Sequence, residues 1–230
     1  YFPHAEVVGD VGPSLNRLAD RLEGRLPPTS ALLPLRREIL ARITDRADED
    51  RFPPTPQRIV HDVRRVMPED GIVALDLAGN EAEFPSRPFY GIFKEAKQAG
   101  LHATIHAGEW GPAEHIREAI EELGAERIGH GVRVLENENV TALARERQTA
   151  FEVCITSNYQ SGVVETLEEH PLMKMFEQGL NVTINTDDPS ISRITLSHEY
   201  YNACDALQMP QFTLKERIIA AAQAGFLPGN

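Results

Sequence analysis

Cysteine is scarce in this chain of 230 residues, with Cys154 and Cys204 the only 2. They lie too far apart for a Cys-x-x-Cys metal knuckle and are too few for a disulfide framework. Two buried thiols in a reducing cytosol are the expectation, and the protein is read as cytoplasmic. Positive charge is also in short supply. Against 35 Asp+Glu there are 23 Lys+Arg, a formal net charge of −12, which disfavours nucleic acid and anionic membrane surfaces and points to a small-molecule partner. No apolar run approaches the roughly 20 residues of a bilayer span; the nearest, Ile218 to Leu227, is interrupted by Gln223 and Gly225. No strand-like run is followed by Gly-x-Gly-x-x-Gly, so a dinucleotide fingerprint is missing. The opening Tyr1-Phe2-Pro3-His4 has neither a basic region nor an apolar one, unlike a secretory signal, and no initiator Met, which suggests a truncated or processed start.

What is present is an ordinary globular composition, 41% hydrophobic and 25% charged. A chain of this length suits one domain spanning residues 1–230, burying roughly 70–75% of its unfolded surface. The first 70 residues carry the weaker pattern. Ser14 can cap a helix with Leu15, Leu18, Leu22 and Leu26 on one stripe, ended by Pro27-Pro28. A short strand is expected around Glu38 to Ile43, a solvated charged loop over Asp45 to Arg51, and a helix burying Ile59, Val60, Val63, Val66 and Met67.

From residue 71 a βα rhythm takes over and repeats roughly every 24 to 30 residues. The strand-like runs are Ile72–Leu77, His102–Ile105, Arg127–Ile128 ending at Gly129-His130, Phe151–Ile155 and Asn181–Asn185. Between them lie amphipathic helices such as Pro112–Leu123, with Ile116, Ala119, Ile120 and Leu123 on the buried stripe and Gly124 as terminator. That is a parallel sheet with crossover helices, either an open doubly wound sheet or a (β/α)8 barrel. The lack of a phosphate fingerprint favours the barrel. Polar, titratable residues follow each run: Asp76 to Glu81, His106 to Glu109, His130-Gly131, Thr156-Ser157-Asn158 and Asn185 to Pro189. In a barrel these tips converge at one mouth, where such folds place their chemistry.

Two adjacent acids, Asp187-Asp188, directly after an apolar strand repel each other when desolvated, and a cation would relieve this. A divalent metal held by His106 and one of the two aspartates follows, with Zn²⁺ matching the nitrogen-plus-oxygen donors. His130 stands one strand along and can orient a metal-activated water, while Glu109 can deliver a proton. Two ligands fall short of the three that a catalytic zinc normally has. The other histidines, His4, His61, His102, His115, His170 and His198, read as structural.

Taken in order, His106-Ala107-Gly108-Glu109, Arg127-Ile128-Gly129-His130-Gly131, Thr156-Ser157-Asn158 and Asn185-Thr186-Asp187-Asp188-Pro189 resemble the adenosine deaminase family of metal-dependent hydrolases. Asp76-Leu77-Ala78-Gly79-Asn80-Glu81 is similar to that family's strand-four motif, and the stretch from Ile218 to Leu227 to its last barrel helix. The resemblance implies a (β/α)8 TIM barrel that converts adenosine or 2′-deoxyadenosine to inosine and ammonia through a hydroxide on one bound Zn²⁺. It implies that His106 and Asp187 are metal ligands, that Glu109 protonates purine N1 and that His130 orients the hydroxide. Asp188 would meet N7, and the Gly79 amide N3. The family's opening strand bears a His-x-His pair that completes the metal site, and no such pair occurs in this chain. The barrel is therefore expected to be incomplete, lacking its opening strand. A non-catalytic purine-binding relative, or a deaminase of adenine, AMP or another 6-aminopurine, are the alternatives; Thr156 to Gly162 lean towards the nucleoside branch.

Overall fold

The computed structural model describes residues 73–226, which belong to one compact unit, Val73–Asn230. The elements expected within the first 70 residues, with His4 and His61, lie outside the described residues, and so does that part of the span expected to form a single domain. Five strands are found: β1 (Ala74–Leu77), β2 (His102–Ala107), β3 (Arg127–His130), β4 (Ala150–Val153) and β5 (Asn181–Ile184). All pair in parallel, in the order β1-β2-β3-β4-β5. A doubly wound sheet reverses its strand order at a switch point; this one never does. The described residues are thus α/β, an incomplete arc of the (β/α)8 type.

Among the described residues, eight α-helices accompany the strands: α1 (Tyr90–Gln98), α2 (Ala113–Glu121), α3 (Glu138–Glu146), α4 (Ile155–Gln160), α5 (Leu172–Glu177), α6 (Pro189–Ser192), α7 (Leu196–Asp205) and α8 (Gln211–Gln223). The strand alternation decides what each sheet face meets. Ala103, Ile105, Ala107, Ile128, Phe151, Val153, Val182 and Ile184 form one buried apolar face. It joins in one core with Ile116, Ala119, Val140, Ala144 and Met175 of the helices. The opposite face is polar: Arg127 Nε donates to Thr104 Oγ1 at 2.9 Å and pairs with Glu152 Oε1 at 3.2 Å.

Several boundaries differ from the sequence reading. The run that ended at Ile105 extends to Ala107, because Ala107 still pairs with His130. Conversely, β4 stops at Val153, since the Cys154 carbonyl accepts the Asn158 N–H at 2.9 Å and starts α4. Thr156, Ser157 and Asn158 therefore stand in a first helical turn and not at a strand tip. Pro112, extended at ψ 167°, precedes α2 as its N-cap and does not open it. The last helix begins at Gln211, well before Ile218. Cys154 is buried as expected, whereas Cys204 is only half-buried; both are free thiols. Among the described residues, no helix is long and apolar enough to cross a membrane.

Candidate active site

The C-terminal edge of the sheet gathers the titratable residues. His106 sits in β2 beside its register partner Gly129 of β3. A Cβ on Gly129 would come within 2.8 Å of His106 Cγ, so glycine there is what gives the imidazole its room. Its Nδ1 lies 3.2 Å from Asp76 Oδ1 of β1. That bond holds the imidazole above its usual range and leaves Nε2 as the donor atom available to a metal. The ring centroids of His106 and His130 are 5.4 Å apart.

His130, the last residue of β3, and Asp187, three residues beyond β5, are non-glycine residues in the left-handed region, with φ of 59° and 55°. Each such conformation costs on the order of 1–3 kcal/mol and persists only where its surroundings over-determine it. Strict alternation would put His130 on the same sheet face as its partner Ala107; the positive φ breaks the alternation and turns the ring to the mouth. Its Nε2 reaches 3.6 Å from Glu109 Oε2 and 3.8 Å from Asp187 Oδ2. Ser157 Oγ donates to Asp187 Oδ2 at 2.7 Å. Burial, reinforced by His106, holds the His130 imidazole below its usual range and therefore neutral near pH 7. Burial and then the Asp187 charge push the Glu109 carboxyl up to about 7, where it can give or take a proton near neutrality.

The loop carrying Glu109 is pinned by a residue to which sequence reasoning assigned no role. Glu81 Oε1 accepts the N–H groups of Glu109 (2.7 Å), Trp110 (2.7 Å) and Gly111 (2.9 Å), while Oε2 accepts that of Gly108 (2.9 Å). His115 Nδ1 adds a contact at 3.2 Å. Burial by itself would raise the Glu81 carboxyl, but the four amide bonds outweigh it and hold it below the usual glutamate range. The sequence signal was slight: an acid shortly after one strand, facing a glycine-flanked turn after the next. Glu199 of α7 was missed entirely. It is fully buried and accepts from the Thr156 N–H at 3.2 Å and from its hydroxyl, tying α4 to α7.

The structure thus brings His106, Glu109, His130 and Asp187 together. Gly79, at φ +144°, lies on the loop after β1. Asp188 precedes α6, where its carbonyl accepts the Ile191 and Ser192 N–H groups at 3.0 Å and its side chain makes no capping bond. Among the described residues, neither is hydrogen-bonded or ion-paired to the other four. His102 is at the far end of β2, stacked on Phe226 at 4.3 Å and bonded to Glu126 at 2.9 Å. His115 and His198 are helical, on α2 and α7.

The donor chemistry suits a zinc ion in part. His106 nitrogen and Asp187 oxygen are zinc donors, and Asp76 behind His106 makes the carboxylate–histidine pairing that orients metal-binding imidazoles. Among the described residues, however, no group of three or more His, Cys, Asp or Glu is arranged to hold a metal ion. His106 and Asp187 would supply two ligands of a larger set.

A sequence model of the adenosine deaminase family matches residues 47–230. An adenosine deaminase from Erwinia tasmaniensis is 49% identical over 137 residues, which are 60% of this chain and 41% of that one. The chain spans less than half the length of the curated relatives it matches, 41% to 47% for the most similar. Among solved structures, an adenine deaminase from Arthrobacter aurescens aligns with a TM-score of 0.70 at 28% identity, over 76% of this chain and 54% of that one. An amidohydrolase from Burkholderia ambifaria, solved with bound Zn, shares the fold at a TM-score of 0.69 and 23% identity, over 76% and 49% of the two chains.

Proposed function

The chain belongs to the adenosine deaminase family, and from that premise we propose that the full-length protein hydrolyses adenosine or 2′-deoxyadenosine to inosine and ammonia. The observation that carries this reading is the convergence of a carboxyl titrating near 7, Glu109, with a buried neutral imidazole, His130, beside the His106–Asp187 donor pair. Water adds through its oxygen to C6 of the purine while Glu109 delivers a proton to N1; of the two protons the water gives up, one returns to Glu109 and the other goes to N6. The C6–N6 bond then breaks, its electron pair leaving with the nitrogen, which departs as ammonia after protonation. His130 orients the attacking oxygen through Nε2. The Gly79 N–H faces N3, and Asp188 faces N7, so that the ring is held with C6 towards Glu109. His106 and Asp187 would hold one Zn²⁺ as two ligands of a larger set; when bound, such an ion lowers the pKa of its water to roughly 7. The free thiols Cys154 and Cys204 support a cytoplasmic setting.

Binding of a purine without turnover is the second reading, motivated by the lack of a His-x-His pair in the 230 residues. The test is the ultraviolet change of adenosine on incubation with the zinc-loaded full-length protein, with product identified by chromatography. Conversion to inosine is expected. Adenosine bound but unchanged would favour the binding reading, and consumption of adenine or AMP instead would move the substrate within the family.

A further inference from the structure

Behind His130 runs a chain of hydrogen bonds that the steps above do not use. It starts on the main chain, where the Leu172 N–H donates to His170 Nδ1 at 3.1 Å. A backbone N–H can only donate, so Nδ1 accepts, and the single proton of a neutral His170 sits on Nε2. His170 is 4% exposed, and burial pushes its imidazole down to about 4, so the neutral form is the one present near pH 7. Its Nε2 lies 3.2 Å from Asn158 Oδ1. With its oxygen committed there, Asn158 turns its amide nitrogen to His130 Nδ1 at 3.1 Å. That nitrogen can only donate, so His130 Nδ1 accepts and its proton sits on Nε2, the atom facing Glu109 and Asp187. Asn158 is 0% and His130 3% exposed, so the direct links at 3.1 and 3.2 Å lie away from bulk solvent. The opposite sense would aim an Nε2 lone pair at the Asp187 carboxylate.

We propose that His170 and Asn158 are positioning residues that lock His130 in its Nε2–H tautomer, through a one-way hydrogen-bond relay whose direction is set by the Leu172 N–H. The effect on turnover rests on the deaminase reading; the tautomer itself does not.

The test uses full-length protein with ¹⁵N-labelled histidine, both zinc-loaded and chelated. The His130 signals are assigned by their loss in His130→Gln. Long-range ¹⁵N–¹H correlation should show Nε2 protonated and Nδ1 unprotonated in the wild type. In Asn158→Asp the carboxylate can only accept, so the proton should move to Nδ1, and kcat on adenosine should fall on the order of 10²-fold or more with KM near wild type. His170→Phe frees the Asn158 amide to turn and should lower kcat about 10- to 100-fold. His170→Gln restores a donor to Asn158 Oδ1 and should keep both the tautomer and most of the rate. An Nδ1–H tautomer in the wild type overturns the relay, as does a tautomer shift in Asn158→Asp without loss of kcat, or identical behaviour of His170→Phe and His170→Gln. A wild type inactive on every 6-aminopurine but holding the Nε2–H tautomer overturns the deaminase reading and upholds the relay.

Discussion

Glu109 illustrates how a single residue is tuned by what surrounds it. Exposed, its carboxyl would be ionised at neutrality; buried beside Asp187 it titrates at about 7 and can act as a proton donor. Glu109→Gln should therefore lower kcat by about 10²- to 10⁴-fold while leaving metal content, read by atomic spectroscopy, as in the wild type. Turnover close to normal would remove Glu109 from the chemistry. The two adjacent aspartates should separate in the same assays. Asp187→Ala, which removes the carboxylate beside His130, is expected to lose metal. Asp188→Ala, in a side chain that caps nothing, is expected to keep metal and raise KM. The reverse pattern would exchange their roles. The identities of these residues, and their places in the segments that follow β2 and β5, were legible in the sequence. The left-handed backbone that aims His130 and Asp187 at a shared point was not: non-glycine residues rarely adopt it, and only the surrounding fold holds them there.

One element carries the proton donor, and one carboxylate holds that element still. The turn Gly108–Gly111 follows β2 and has four amides aimed at Glu81. Glu81→Gln exchanges one acceptor oxygen for an amide nitrogen whose hydrogens face those donors, so the turn should loosen. A displacement of about 1 Å at the reacting group suffices to cost on the order of 10²-fold in kcat. Amide hydrogen exchange at Glu109–Gly111 should accelerate in parallel; unchanged exchange would mean that the turn is held by something else. The pH dependence has a definite sign. The Glu81 carboxyl in the fold lies below its ordinary value of 4.5, so the stability it contributes is complete above that value and is lost as pH falls through the folded one. Wild type and Glu81→Gln should differ most in stability near neutrality and converge in acid. Sequence reasoning saw Glu81 as the end of a motif but not its task, because the partners are main-chain amides, which leave no trace in residue identity.

At the scale of the whole molecule, five parallel strands in unbroken order bring Asp76, Glu109 and Asp187 to one edge of the sheet. Like charges so gathered oppose folding unless a cation lies among them. Zinc should accordingly raise the melting temperature of the full-length protein and a chelator lower it. At a free zinc concentration of 100 times Kd the gain is about 2.7 kcal/mol. Coincident melting curves in zinc and chelator would mean that His106 and Asp187 do not bind the ion in the folded state.

By itself the sequence determined the rhythm of strands and helices, the apolar stripe of α2, and that polar side chains follow the strands. These depend on local periodicity and residue type, which a linear reading can see. Tertiary structure alone decided that β4 ends at Val153 so that Asn158 enters a helix, that Gly129 clears space for the His106 ring, and that a main-chain N–H at Leu172 sets the sense of the bonds reaching His130. The clearance at His106 and the bonds that reach His130 depend on the distance between groups remote in the chain, and packing, not local pattern, sets such distances.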